Sequence, residues 1–269
     1  MTTSKTTRKK SASRPVVDGR SSPLMVRSVE KAFNILNAFR PGQSTLGLTQ
    51  IAESVGIDKS TAQRFAHTLE TLGYIYKDPD SKRFSLTVKT LAIGNSFLQS
   101  NLLVQQAAPY LSHLSQVTEE TVNLSVLDGT EVVYLSRFIS RHIFKTDVVV
   151  GSRLPAYCTA AGISILSRMP IEEAMDVLKA SDLRPITAST TTDLQDLRTK
   201  IQHAAKDGFT TTFEEYFHDD LSVGAAIVDS HGKPAGAITV SVSRARYTPE
   251  EVVERFARLV IAAANAVKV

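Results

Sequence analysis

Apolar residues recur every three or four positions from Val26 to Phe39, in the order Val26, Val29, Phe33, Leu36 and Phe39, and the run stops at Pro41-Gly42. That spacing predicts a first helix. A shorter amphipathic segment follows from Leu48 to Val55, with Leu48, Ile51, Ala52 and Val55 on one face and Gly56 supplying a turn. A third helix is expected from Asp58 or Ser60, either of which can cap orphan amides, and it carries Ala62, Phe65, Ala66, Leu69 and Leu72 up to Gly73. Two helices joined by a tight glycine turn make a helix-turn-helix. After Gly73 the period drops to two. Ile75 and the segment Arg83 to Leu86 flank Asp78-Pro79-Asp80-Ser81, where proline presets its backbone angle and Asp and Ser bond locally. The result is a small hairpin with Lys77, Lys82 and Arg83 at or near its tip, so residues 26–87 read as a winged helix-turn-helix.

Helical spacing resumes over Leu86 to Asn101, and residues 88–101 are assigned to a linker helix. The remaining 102–269 read as a mixed domain. A helix covers Leu102 to Val117; strands cover Thr121 to Leu127 and Val132 to Phe138, around Asp128-Gly129, and a third covers Ile143 to Val150. Helices follow at Thr159 to Arg168, Ile171 to Lys179 and Thr192 to Asp207, then strands at Val223 to Val228 and Ala235 to Val242. The last helix opens with Thr248-Pro249-Glu250-Glu251, a capping box with proline in the first turn. Strands arriving as hairpins with helices between them favour an antiparallel sheet with helices packed on it, and the fold class is α+β.

Charge sharpens this division. Residues 1–25 carry a net +5, residues 26–89 a net +3 and residues 90–269 a net −4, within a chain of net +4. A polyanion would be gripped by the first third. Residues 1–25 are rich in Ser, Thr, Lys and Arg with almost nothing to bury, which predicts a disordered basic tail, either a solvating segment or a loose phosphate-binding arm. One cysteine excludes an internal disulfide framework and a Cys-only metal site, and it suits a cytoplasmic location. No run approaches the roughly 18 apolar residues of a membrane helix, and Met1 to Arg14 lacks the apolar segment of a secretory signal. His142, His218 and His231 are too scattered to suggest zinc, and no cofactor is implied.

On the third helix the face opposite Phe65 and Leu69 presents Lys59, Ser60, Thr61, Gln63, Arg64, His67 and Thr68. These hydrogen-bonding residues gather toward the N-terminal half, the part of a recognition helix that meets base edges in the major groove. Gln63 and Arg64 suit adenine and guanine, while Lys59, Ser60, Thr61 and, in the wing, Lys82 and Arg83 suit phosphates. A solvated helix face would look the same for one helix, but not for three helices, a glycine turn and a basic hairpin in this order. The expected partner is a double-stranded DNA operator.

The runs Val26-Arg27-Ser28-Val29-Glu30-Lys31-Ala32, Leu48-Thr49-Gln50-Ile51-Ala52, Ser60-Thr61-Ala62-Gln63-Arg64 and Leu69-Glu70-Thr71-Leu72-Gly73-Tyr74 closely resemble the IclR family of bacterial transcriptional regulators. Leu154 to Gly162 and the block from Asp207-Gly208-Phe209 to Ser241 resemble the same family, so the likeness covers about residues 26–267. The resemblance implies a winged-helix domain, a linking helix, a GAF-like effector domain, and a homodimer or dimer of dimers on a pseudo-palindromic site. Gly151 to Thr159 resembles regulators of aromatic-acid catabolism, of the protocatechuate and hydroxybenzoate type.

Thr159, Ala160, Ala161 and Gly162 are four small residues at a helix start, where backbone amides can face an anion such as a carboxylate. Cys158 and Thr159 can add side-chain contacts, and Leu154 and Tyr157 an apolar wall. The same residues also suit simple close packing against a sheet. Arg137 and Arg153 are either a second anion contact or solvated. By resemblance, Glu215, Ser222, Thr239 and Ser241 complete the effector pocket, although Asp219 stands where the family often has glycine. The function expected is a DNA-binding regulator controlled by a small carboxylic acid. Two alternatives stand beside it: an enzyme with Cys158 as nucleophile and His142 or His218 as base, which no local signature supports, and a DNA-binding protein whose C-terminal part only dimerises.

Overall fold

The computed structural model describes residues 22–141 and 147–269. Most of the tail expected at 1–25, and His142, lie outside them. So does the start of the strand expected over Ile143 to Val150; its described part, Asp147 to Val150, forms no strand. Backbone contacts divide the chain into two units between Asn95 and Ser96.

In the first unit α1 (Arg27–Asn37), α2 (Leu48–Val55) and α3 (Lys59–Thr71) enclose a core with a small sheet. The sheet is β1 (Thr45–Leu46), β3 (Phe84–Leu86) and β2 (Ile75–Lys77), in that spatial order and antiparallel. Gly56 takes the left-handed conformation (φ 67°) that closes α2 before α3. The core is Ile35, Leu46, Ile51, Ala62, Ala66, Leu69, Ile75 and Phe84. The face expected to be buried on α1 is corrected: Val26, Val29 and Phe33 are about half exposed or more, at 58%, 52% and 54%. Ile35 and Ala38 turn inward instead, with Ala32, Leu36 and Phe39 beside them. A period of three to four fits both stripes, and only the position of α2 and α3 selects between them. Leu72 is likewise exposed rather than core.

The linker expected as one helix begins with a single 3-10 turn, Val88–Thr90, held by Thr87, before α4 (Leu91–Ser100). In the second unit α5 (Leu102–Thr118) and α9 (Pro249–Ala266) cover one face of a six-stranded antiparallel sheet. Its strands are β4 (Thr121–Asp128), β5 (Glu131–Phe138), β6 (Arg153–Pro155), β7 (Thr210–Phe213), β8 (Asp220–Val228) and β9 (Pro234–Ser243), in the spatial order β6-β5-β4-β9-β8-β7. The other face carries α6 (Ala160–Leu166), α7 (Ile171–Ala180) and α8 (Leu194–Asp207). Strand alternation sends Val122, Leu124, Leu221, Val223, Val240 and Val242 to the α5/α9 side, where they are fully or almost fully buried. The capping box predicted for the last helix is present, with Thr248 and Glu251 bonding reciprocally.

Candidate functional site

Two constellations emerge, one in each unit. In the first, Asp58 is the cap of α3: its carboxylate accepts from the Thr61 amide (2.8 Å), Thr61 Oγ1 (2.6 Å) and Ser60 Oγ (2.7 Å). These bonds, the Thr61 hydroxyl foremost, hold the Asp58 carboxyl well below the usual carboxylate range. Lys59, Ser60, Gln63, Arg64, His67 and Thr68 are exposed along one side of the helix, and Thr61 is half-buried. Because Ser60 and Thr61 already direct their protons at Asp58, a phosphate, which offers only acceptors, competes with that carboxylate for them.

The wing turn is built as its residues suggest, with Asp78 Oδ1 accepting from the Ser81 amide (2.7 Å), the Ser81 hydroxyl (2.7 Å) and the Asp80 amide (3.2 Å). Lys82 sits exposed at the tip in the left-handed region (φ 60°). Arg83 is placed differently from Lys82. Its guanidinium donates to Thr45 Oγ1 (3.0 Å), Thr45 O (2.7 Å) and Gln50 Oε1 (3.1 Å). It therefore ties the wing to β1 and α2.

The second constellation is a cavity between the sheet of the second unit and the start of α6, with about 440 Å³ of space not filled by atoms, part of it open to solvent. The alternation that sends Val122 and Val240 one way sends polar residues the other. Across the sheet Asn123 pairs with Thr239 and Thr239 with Gly224, while Ser241 pairs with Ser222 and Ser222 with Thr212. This polar row is the cavity floor. The Ser222 and Ser241 hydroxyls are 2.7 Å apart, and Ser222 also donates to Asp220 (2.9 Å). Asn123 Nδ2 donates to Thr239 Oγ1 (3.2 Å).

A register shift between β4 and β5 shapes one end. Leu124 pairs with Ser136 but Ser125 with Tyr134, so Leu135 is the extra residue of a bulge. A bulge of one residue exchanges the faces of everything beyond it. Tyr134 and Arg137, three residues apart, thus both line the cavity, and Arg137 lies opposite Asn123. Burial pushes the Arg137 guanidinium and the Tyr134 phenol toward their neutral forms. The enclosed Asp220 carboxyl is pushed up to about 7, by loss of solvent, against the lowering influence of the Ser222 hydroxyl and of Arg137. The walls are Val148, Leu154 and the edge-to-face pair Tyr216 and Phe217, whose ring centroids are 4.6 Å apart.

Of the effector residues expected from the sequence, Cys158, Thr159, Ala160, Ala161, Ser222, Thr239 and Ser241 line this cavity. Gly162 and Glu215 are not among its lining residues. A Cβ on Gly162 would run into the backbone of Ala156, so this glycine serves the approach of α6 to the preceding turn. Glu215 is buried in an ion pair with Lys200. Thr159 is the cap of α6, donating to Pro155 O (3.0 Å) and accepting from the Gly162 amide (3.3 Å). Asp219 adopts the left-handed conformation (φ 63°) that a glycine would take freely. Arg153, by contrast, is a surface residue paired with Asp128 and Glu131. Tyr134, Asn123 and Asp220 were not anticipated, since strand-to-strand register alone brings them to the floor. Cys158 is buried and its thiol is pushed up to about 12, so it is protonated at neutral pH. Among the described residues no group of three or more His, Cys, Asp or Glu could hold a metal ion, and no helix is long and apolar enough to cross a membrane.

Residues 28–79 match the family model of the IclR helix-turn-helix domain, and residues 95–269 match that of the bacterial transcriptional regulator IclR C-terminal domain. The Pca regulon regulatory protein of Pseudomonas putida is 30% identical over 244 residues, covering 90% of this chain and 83% of that protein. The transcriptional repressor IclR of Escherichia coli (strain K12) is 26% identical over 256 residues, covering 94% and 93%. Among solved structures, the Thermotoga maritima IclR superposes with a TM-score of 0.70 at 26% identity, covering 90% of this chain and 97% of that one. An IclR homologue from Microbacterium hydrocarbonoxydans, solved with 4-hydroxybenzoate, has the same fold, with a TM-score of 0.75 at 20% identity and coverage of 89% and 97%.

Proposed function

This chain belongs to the IclR family of DNA-binding transcriptional regulators with an effector-binding C-terminal domain, and from that premise we propose the operator contacts, the oligomer and the effector class. Residues 26–87 act as the DNA-binding domain, 88–101 as the linker and 102–269 as the effector and assembly domain. Gln63 and Arg64 read bases, Lys59, His67 and Lys82 lie along the duplex backbone, and Ser60 and Thr61 contribute mainly as part of the Asp58 cap. Arg83 acts by holding the wing in place rather than by gripping phosphate.

The active species is a homodimer or a dimer of dimers. Val29, Phe33, Val88, Leu91 and Ile93 are each more than half exposed in the first unit, and apolar side chains left uncovered in this way suit burial between two copies of the chain. Pairing sets two recognition helices about 34–36 Å apart, or a multiple of that, on a two-fold related operator.

The effector is a small carboxylic acid, of the aromatic catabolic class. The supporting observation is the cavity itself, which Arg137, Ala160 and Ala161 at the start of α6, and the hydroxyl-bearing Thr239, Ser222 and Ser241 line together with apolar walls. Positive and hydrogen-bonding groups suit the carboxylate, and Leu154, Val148, Tyr216 and Phe217 suit an apolar body. The relation to the Pca regulon protein ranks aromatic acids ahead of others.

A thermal-shift screen of aliphatic and aromatic carboxylic acids, including protocatechuate and 4-hydroxybenzoate, tests this reading, because a ligand bound only by the native state raises Tm by mass action. A shift with a saturable concentration dependence supports it. No shift with any acid refutes the carboxylic-acid reading of the cavity.

A further inference from the structure

The last carbonyls of a helix have no partner within it, and those at the end of α3 are met from two places in the chain. Gly73 takes the left-handed conformation (φ 79°), and the reversal there brings the Gly73 amide to Glu70 O (2.8 Å) and the Tyr74 amide to Leu69 O (2.9 Å). The carbonyls that follow are met by the linker turn. Lys89 Nζ donates to Leu72 O (2.7 Å), Thr87 Oγ1 to Gly73 O (2.6 Å) and the Thr87 amide to Tyr74 O (2.9 Å).

Lys89 is held at this place by its stem as well as its charge. Its ammonium lies 5.0 Å from the centre of the Tyr74 ring, and its Cδ would stand 3.7 Å from a Cβ added at Gly73. A cation at this end of a helix also meets the negative pole of the helix dipole. Thr87 is committed in both directions. Its hydroxyl donates to Gly73 O and accepts from the Lys89 amide (3.3 Å), starting the 3-10 turn that runs on into α4. The far end of α3 is thus tied to the first turn of the linker, as Asp58 caps its near end. A lysine in a DNA-binding unit would ordinarily be given to a phosphate; this one donates to the main chain of its own domain.

Building on the reading of α3 as the recognition helix, we infer that Lys89 and Thr87 are positioning residues for operator discrimination. They hold α3 at the angle that base contact requires and do not themselves grip DNA. Bidentate contacts to base edges depend on that angle, whereas contacts to the phosphate backbone carry no sequence information and tolerate a looser helix. Loosening this tie therefore lowers affinity for the preferred sequence and spares affinity for any other duplex.

The test uses the full-length protein, the duplex that the wild type recovers from a randomised pool, and a scrambled duplex of the same composition, in fluorescence anisotropy across a salt series. Lys89→Met keeps the stem and removes the donor; it is expected to lower the preferred-to-scrambled affinity ratio about two- to fivefold, with the salt slope unchanged. Adding Thr87→Val removes a second donor and is expected to bring the loss to at least about tenfold. Lys89→Arg, which can still donate to Leu72 O and stack on Tyr74, is expected to stay within about twofold of the wild type. Hydrogen exchange gives a readout without DNA: the Gly73 and Tyr74 amides should exchange faster in Lys89→Met, and the Thr61 amide at the Asp58 cap should not.

Equal losses on both duplexes with a salt slope lowered by about 1 mean that Lys89 grips phosphate and overturn the inference. A fall in Tm with an unchanged ratio also overturns it, since the tie would then serve stability alone. Arg64→Ala in the same assay keeps the two readings apart. If it lowers the ratio and the double variant does not, only this inference fails; if it leaves the ratio unchanged, or the wild type recovers no preferred duplex, the recognition-helix reading fails and this inference with it.

Discussion

Replacing Gly162 by alanine separates the two roles its position could have in a helix that borders the cavity. A Cβ at this residue would lie 2.6 Å from the Ala156 carbonyl carbon, and closer still to the Ala156 oxygen and Cα. All three obstacles are backbone atoms, so no rotamer change relieves the clash and α6 must move off the preceding turn. Helix propensity pulls the other way: alanine favours a helix interior over glycine by about 1 kcal/mol. Overpacking of a filled site costs about 1–3 kcal/mol, and a clash with main chain belongs at or above the upper end. The net expectation is a loss of about 2 kcal/mol. For a protein of this size that corresponds to a fall in Tm of about 4–8 °C. Differential scanning fluorimetry measures it, with Gly129→Ala as a comparison, since that glycine has open space around it and only its positive φ (64°) to strain. Effector response should fall with Tm, because Ala160 and Ala161 move with the helix. A Gly162→Ala protein as stable as the parent, or more so, would refute the assignment of this glycine to close packing.

Other consequences can be checked separately. Arg64→Ala should cost about 1–3 kcal/mol on the cognate operator and relax its specificity, whereas Lys82→Ala should weaken all duplexes alike and lower the salt slope by about 1, both by fluorescence anisotropy across a salt series. Arg83→Ala, which removes the bonds to Thr45 and Gln50, should lower the thermal stability of the DNA-binding unit as well as its affinity; unchanged stability would contradict its role as a tie. Because burial pushes the Asp220 carboxyl up to about 7, its negative charge develops as pH rises through neutral, so affinity for an anionic effector should fall between pH 6 and 8; Asp220→Asn should flatten that profile. The Cys158 thiol, buried and pushed up to about 12, should alkylate slowly in the native state at neutral pH; rapid alkylation would contradict its protonated, inert character.

Helices and long strands were legible from local pattern because the signals that make them are local. The α2 boundaries, the Asp58 cap, the wing turn and the Thr248 capping box all depend on residues within four positions of one another. The three strands that went unread, β1, β6 and β7, are two to four residues long and lie at sheet edges. Alternation over so few positions carries no period, and their pairing depends on partners distant in the chain. The effector site divides in the same way. The small-residue run from Thr159 to Ala161 stands out along the chain, and likeness to the family pointed to Ser222, Thr239 and Ser241. Asn123, Tyr134 and Asp220 carry no such mark.

The amino-acid order was sufficient for the class of the fold, the basic front end, and the helix-turn-helix with its wing. Each follows from hydrophobic period, capping chemistry or charge count, which are properties of neighbouring residues. Folding in three dimensions chose among arrangements that those properties leave equal. It selected which of two apolar stripes on α1 is buried, and it set the Arg83 guanidinium against Thr45 and Gln50. By one extra residue at Leu135 it also set Arg137 opposite Asn123. The reason is common to all three: a side chain's role depends on what faces it across space, and register and packing, not sequence spacing, decide what that is.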